Sequence, residues 1–151
     1  MPLYSALSRY HRDSGSGNYK HTMVELFGNE TVCASLLFPS HLDALCERMP
    51  IGNKTTPVEL IANHTFLPYY TPFIPEKRNV EMKEIMSSKQ GNSVYMQIGK
   101  PSSSLKSLQR LNYCPACVIN DREIYGEAYW HRSHQAEGIF ICHFHGMDCQ
   151  H

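Results

Sequence analysis

Two pairs of metal-ligating side chains stand near the carboxyl end of the 151-residue sequence. Cys114 and Cys117 form a C-x-x-C pair, and Cys142 and His145 form a C-x-x-H pair. A two-residue gap lets one tight turn aim both side chains at a single cation, so two such turns supply the four ligands of a closed tetrahedral site. Mixed thiolate and imidazole ligands favour zinc. The spacing therefore predicts one structural Zn²⁺ bound by these four residues.

Other uses of these cysteines remain open from the spacing alone. A C-x-x-C pair can be a redox motif, but that interpretation needs a βαβ context, and none precedes Cys114. Six cysteines could form disulfides in an oxidising compartment, yet the sequence has neither a membrane-length apolar run nor a basic-then-apolar signal. We therefore predict reduced thiols and a cytoplasmic protein. His143 could replace His145 as fourth ligand, although the two-residue gap favours His145 because it mirrors the first pair.

The elements that position these pairs are predicted to be mostly helical. Apolar residues at helical spacing predict helices over residues 3–11, 18–27 and 40–49. The T-P-V-E sequence at Thr56 has a capping hydroxyl, a first-turn proline and a carboxylate three residues after the cap, which predicts a fourth helix ending near His64. The last two helices form the pattern of a helix-turn-helix, which is also the pattern of any small helical bundle.

The segment that links these helices to the metal-ligand pairs changes character along its length. Three prolines within residues 65–75 predict a loop packed on the core, because proline disrupts a regular helix or a central strand. The next stretch carries an excess of basic side chains: Lys77, Arg78, Lys83, Lys89, Lys100, Lys106 and Arg110. Residues 111–151 are acidic instead, so the net charge of zero hides an asymmetry. The basic stretch is either a DNA-phosphate-contacting face or an ordinary solvated face.

These patterns together predict a mainly α-helical protein with three parts. Residues 1–75 form a helix-turn-helix-like helical part, residues 76–110 a basic connecting segment, and residues 111–151 a small zinc-binding module with short β strands. One domain with a small metal module is what a chain of this length can hold. The zero net charge also excludes a bulk polycation that binds nucleic acid non-specifically.

No catalytic set of side chains emerges from the sequence. His131 and His134, together with Glu127, could suggest a metallo-nuclease or hydrolase with an open metal position. The four better-spaced ligands close the predicted site, however, and leave no place for an activated water. The chain is therefore predicted not to be an enzyme, and these histidines are predicted either to brace the metal loop by hydrogen bonds or to take part in surface recognition.

The carboxyl-terminal stretch resembles the zinc-binding region of the TniQ/TnsD family. The shared runs are C-P-x-C from Cys114, D-x-x-x-Y-G-E-x-Y-W-H-R-x-H-Q from Asp121 and C-x-x-H-G from Cys142. The resemblance extends to the amino-terminal run Y-S-x-x-x-R-Y-H, which begins at Tyr4. The family usually has proline after the third ligand, whereas this chain has His143 there, and the ligand set remains intact.

The resemblance implies a DNA-binding protein that selects the target site of a bacterial DNA transposon. Such proteins recognise double-stranded attachment-site DNA and recruit an AAA+ ATPase that regulates the transposase. The resemblance also implies that this chain corresponds to the amino-terminal part of longer selectors. Two alternatives remain open: a zinc-dependent nuclease or hydrolase, and a protein-interaction adaptor that does not itself contact DNA. No membrane partner is expected.

Overall fold

The computed structural model of the chain describes residues 1–50, 52–88 and 110–151. These ranges are mainly helical, as predicted. The α-helices are α1 Leu3–Asp13, α2 Tyr19–Phe27, α3 Leu42–Arg48, α4 Pro57–His64, α5 Leu67–Tyr70, α6 Glu76–Ser87 and α7 Pro115–Tyr125. Two 3-10 turns lie at Thr71–Phe73 and Arg132–Gln135. None of these helices is long and apolar enough to cross a membrane.

The strand content of the predicted zinc-binding module is smaller than we expected. Within the described ranges the chain forms two isolated antiparallel bridges, Tyr113 with Gln150 and Ile141 with Asp148, rather than short β strands. The Ile141–Asp148 bridge joins single residues on either side of a tight turn, and the Tyr113–Gln150 bridge pairs single residues that are far apart along the chain, so neither bridge extends into a strand. The module is therefore built from a helix, turns and loops.

The ends of α2 and α4 follow local sequence signals. The side chain of Asn18 accepts a hydrogen bond from the backbone of Lys20, and α2 ends at Gly28 in the left-handed conformation, with φ of 70°. At α4 the predicted capping box is present. The hydroxyl of Thr56 accepts a hydrogen bond from the backbone of Glu59, and the Glu59 carboxylate accepts one from the backbone of Thr56.

We expect Thr56→Ala to lower the free energy of unfolding by about 1 kcal/mol, because the first turn of α4 loses its capping hydroxyl. Urea unfolding followed by circular dichroism measures this change. Val58→Ala is the control, since Val58 is on the same helix and 64% exposed; it should change the stability by less than about 0.5 kcal/mol. Equal effects of the two substitutions would contradict a stabilising role for the capping box.

Residues 67–73, within the segment predicted as a loop over residues 65–75, are helical, so that prediction was wrong. Pro68 and Pro72 lie in the first turns of α5 and of the following 3-10 turn, where the missing N–H would have had no helical partner. The Thr65 hydroxyl donates to the backbone oxygen of Ile61 and accepts from the backbone of Leu67, which joins α4 to α5. The expected packing against the core does occur, because Leu67 is fully buried.

One apolar core holds α1 to α6 together. It contains Leu42 of α3 and Ile61 of α4, and α6 contributes Met82 and Met86, both completely buried. The first part of the predicted basic connecting segment is therefore a helix packed on the preceding ones. The first four residues of α6, Glu76 to Asn79, are all polar, so no apolar periodicity marks the start of this helix in the sequence.

Helices α3 and α4 pack against each other within this core. Residues 49–56 separate them, a longer connection than the three- or four-residue turn of a helix-turn-helix motif. The two helices thus share the order and contact of that motif without its tight turn. The outer side of α4 carries Val58, Glu59, Ala62 and Asn63 and is exposed to solvent.

Candidate metal centre

The first ligand pair is positioned by the start of α7. Cys114 is the residue that precedes the helix, with extended backbone angles, and Pro115 lies in the first turn. Cys117 is then one turn further along, so the two side chains lie on the same side of the helix start. Both thiols are buried, and they belong to a small second core with Cys142.

The second ligand pair lies on a tight turn at residues 142–147, which follows the 3-10 turn at Arg132–Gln135 along the chain. The amide of Gly146 donates to the backbone oxygen of Cys142, and the amide of Cys142 donates to that of Met147, each at 2.8 Å. Gly146 has φ of 61°, which favours glycine. The bridge between Tyr113 and Gln150 joins the two pairs, because one partner is next to Cys114 and the other follows the turn.

The four predicted ligands meet with the dimensions of a tetrahedral zinc site. Sγ of Cys117 lies 3.6 Å from Sγ of Cys142 and 3.3 Å from Nδ1 of His145. Sγ of Cys114 and Sγ of Cys142 each lie 3.6 Å from the same nitrogen. Ligand atoms around tetrahedral zinc are about 3.6–3.8 Å apart, given Zn–S and Zn–N distances of about 2.3 and 2.1 Å. The donor set and its spacing therefore fit zinc.

The two candidate histidines of the second pair occupy different places. His145 belongs to the group of ligand atoms that all lie within 4.8 Å of one another, with Cys114, Cys117 and Cys142. His143 is exposed, and its ring is 3.8 Å from that of Phe144. The structure thus brings the favoured histidine, rather than its neighbour, to the three thiols.

The thiols of this cluster have opposite acid–base properties before a metal binds. Burial, a hydrogen bond to Cys142 and the nearby thiols raise the pKa of Cys117. Burial would also raise the pKa of Cys142, but hydrogen bonds from the His134 and His145 rings and from the backbone lower it to about 5. Cys142 therefore loses its proton more readily than Cys117, and a metal that binds both sulfurs must displace the proton of Cys117.

Residues next to the cluster brace it, as one of the two predicted roles requires. The Gln135 side chain accepts a hydrogen bond from the backbone of Asn112 at 2.9 Å and donates to the backbone oxygen of the same residue at 2.6 Å. His131 contacts the buried carboxylate of Asp121 at 2.8 Å, and its ring stacks on that of His134. These contacts hold the loop before the second ligand pair against α7.

Further contacts attach this loop to the helical part. Nη1 of Arg132 donates to the backbone oxygens of Ala62 and Thr65, each at 3.1 Å, at the carboxyl end of α4. The amide of Trp130 donates to the hydroxyl of Ser5 in α1 at 3.1 Å. Sequence reasoning missed these partners, because their separation along the chain leaves no local signal beyond the cluster of polar residues around Trp130.

The constellation considered for a nuclease does not form. Glu127 is in ion pairs with Arg9 and Arg12, each at 2.7 Å, and belongs to neither group of potential metal ligands among the described residues. His131 and His134 do lie near Cys117, as a second such group. The carboxylate next to His131 is that of Asp121, whereas Glu127, the acidic residue of the considered constellation, is paired with the arginines of α1.

The described basic residues of the predicted DNA-contacting stretch do not share one face. Lys77 and Arg78 are exposed on α6, and Lys83 is half-buried on the same helix. At about 100° per residue, Arg78 and Lys83 lie on opposite flanks of the buried face. Glu81 and Glu84 share the outer face with Lys77 by the same geometry.

The other basic residues of this stretch are placed as follows. Arg110 is exposed at the edge of the described residues, and Lys89, Lys100 and Lys106 lie outside them. The outer face of α6 thus carries charges of both signs, and DNA contact by this stretch stays a prediction.

Comparisons with known proteins identify the family of the chain. A sequence model described as TniQ matches residues 2–148. The chain is also 32% identical over 144 residues to the "Transposon Tn7 transposition protein TnsD" of Escherichia coli. That similarity covers 95% of this chain but 28% of the relative, so the chain spans little more than a quarter of the length of that protein. The chain belongs to the TniQ family.

Proposed function

We propose that this chain is the part of a bacterial transposition protein that helps select the target site. In this proposal it recognises double-stranded attachment-site DNA in the cytoplasm and recruits the AAA+ ATPase that regulates the transposase. The observation that carries the proposal is the match to the TniQ family over nearly the whole chain, together with the identity to a Tn7 transposition protein. Proteins of this family target transposition without being enzymes, in agreement with our prediction.

The proposed cofactor is one structural Zn²⁺ bound by Cys114, Cys117, Cys142 and His145. Its support is the fit of the four ligand atoms to a tetrahedron. Bound zinc would supply only a cross-link between α7 and the second ligand turn, because four protein ligands leave no open position for water. The role of the metal is then to hold the loop that carries Arg132 against the end of α4.

Recognition of DNA is proposed for the helical part and for the basic stretch after it. The outer side of α4 has the place of a recognition helix after α3, and short polar side chains such as Asn63 can reach base edges. Basic residues on α6 would supply phosphate contacts, which position the protein without specifying sequence. Base recognition by α4 and phosphate contact by α6 can therefore be tested separately, by substitutions in one helix at a time.

An adaptor function remains the second candidate, because one surface favours a protein partner. Phe140 and Phe144, close to the metal ligands, are 71% and 64% exposed. Residues 133–151 contain no lysine or arginine. A surface with exposed aromatic rings and no strong cation suits contact with a protein more than contact with phosphates.

The proposed function is tested by binding of the purified chain to a duplex that carries the attachment site of the transposon and to a scrambled duplex. We expect weak binding to both at low salt, because the net charge is zero, with a preference of at least several-fold for the attachment site. The ATPase is tested in parallel by co-purification. Binding to the ATPase without binding to either duplex would favour the adaptor function instead.

A further inference from the structure

One histidine outside the predicted ligand set lies against the metal-binding thiols. His134 is 1% exposed, and its Nε2 is 3.4 Å from Sγ of Cys142 and 3.9 Å from Sγ of Cys117. Both distances are within the range of a hydrogen bond to sulfur. The same ring thus reaches two of the four proposed ligands.

The surroundings of the two ring nitrogens indicate which of them carries the hydrogen in the neutral imidazole. Nδ1 of His134 is buried and has no hydrogen-bond partner among the described residues. A neutral imidazole has one N–H and one nitrogen with a free lone pair. Metal-bound thiolates carry no proton and can only accept, so the N–H must be on Nε2, where it meets the sulfurs. The nitrogen without a partner, Nδ1, then carries only a lone pair, and the N–H donor on Nε2 has the sulfurs as its acceptors.

An N–H donor at this place would stabilise the net negative charge of the proposed metal centre. Three thiolates and one Zn²⁺ carry a net charge of −1, and three of the four ligands, the cysteines, are buried. A buried charge without compensating hydrogen bonds is costly. An N–H directed at two of the sulfurs spreads this charge, and such outer hydrogen bonds typically change metal affinity 10–100-fold.

The backbone holds His134 in this position. The side-chain amide of Asn112 donates through its Nδ2 to the backbone oxygen of His134 at 3.1 Å. The side chain of the adjacent Gln135 accepts a hydrogen bond from the backbone N–H of Asn112 and donates one to its backbone oxygen. Arg132, in the same 3-10 turn, is bonded to the end of α4. The turn that carries the ring is therefore held by contacts outside the ligand set as well as by the proposed metal centre.

We propose that His134 stabilises the metal-bound thiolates of Cys117 and Cys142 by hydrogen bonding through Nε2, without itself being a ligand. This role rests on the zinc site of the proposed function. His134 is a positioning residue of the proposed metal centre, and its contribution is a hydrogen bond donated to two of the ligand sulfurs. The prediction concerns the strength and spectrum of metal binding rather than the presence of the fold.

The test compares His134→Leu, which removes the donor, with His134→Gln, whose amide can donate from nearly the same place. The purified proteins are loaded with Co²⁺, and their visible spectra and their Zn²⁺ affinity in chelator competition are measured. We expect His134→Leu to keep the intense tetrahedral cobalt bands, with shifted thiolate charge-transfer bands and zinc affinity about 10–100-fold lower. His134→Gln should recover most of the affinity. His143→Leu is the matched control and should resemble the wild type, since His143 is exposed.

Several outcomes would overturn the proposal. Loss of the tetrahedral cobalt bands in His134→Gln, with their retention in His145→Ala, would make His134 a ligand. Equal affinities and unchanged spectra for the leucine, glutamine and wild-type proteins would show that the His134 ring only packs against its neighbours. If His134→Leu does not fold, His134→Asn replaces it, because its shorter amide cannot reach the sulfurs. A wild-type protein that binds neither metal would refute the zinc site itself, whereas metal retained with wild-type affinity in every His134 variant would refute only the role of His134.

Discussion

Cys114→Ser is expected to abolish stoichiometric zinc binding and to unfold much of residues 111–151. The reason is the small size of the core around this site. It consists of Cys114, Cys117 and Cys142, packed against Ala116 and Cys149. Such a core cannot replace the free energy of metal binding, which is about 10–16 kcal/mol for structural zinc in small fingers. His145→Ala should also lose zinc, because the imidazole is within 3.6 Å of all three sulfurs.

Metal analysis of the purified variants and hydrogen exchange measure these two effects. After chelation, amides over residues 121–141 should exchange quickly, while α1 to α6 should keep slower exchange because they share their own apolar core. Cys33→Ser is the matched control, since Cys33 is an exposed free cysteine outside the cluster. Full zinc retention in both ligand variants would refute the ligand assignment. Uniform exchange over the whole chain after chelation would refute a metal role confined to this part.

Replacing Lys77 and Lys83 with alanine is expected to flatten the salt dependence of DNA binding. Each phosphate contact releases counterions, so the logarithm of affinity falls linearly with the logarithm of salt concentration. If both lysines contact phosphates, the slope should decrease by about two units, roughly one for each contact. The loss should be the same on attachment-site and scrambled duplexes, because phosphate contacts carry no sequence information.

Two control variants separate this effect from base recognition. Glu81→Gln removes an acid from the outer face of α6 and should not flatten the slope. Asn63→Ala, on the exposed side of α4, should instead reduce the preference for the attachment site at an unchanged slope. An unchanged slope in the double lysine variant would exclude α6 from the phosphate contacts. Absence of salt-dependent binding to both duplexes, with the ATPase still bound, would exclude DNA recognition by this chain.

Local spacing was enough to predict the parts of this protein whose partners are close along the chain. The C-x-x-C and C-x-x-H pairs are each formed within one turn, and the structure brings all four of their ligand atoms within 4.8 Å. The capping box at Thr56 likewise joins residues three positions apart. Prolines misled the prediction over residues 65–75, because their position within the first turn of a helix, rather than their number, decides whether a helix forms.

The tertiary structure alone decided which distant residues meet. Met82 and Met86 take α6 into the helical core, although its basic residues suggested a connecting segment. Arg132 reaches the end of α4, and His134 reaches the sulfurs of Cys117 and Cys142. Histidine and arginine have the same chemistry wherever they stand, so their roles depend on the groups that packing places around them. The sequence therefore determined the two candidate ligand pairs and the family of this protein, while packing determined how the cluster of cysteines and His145 is attached to the helices.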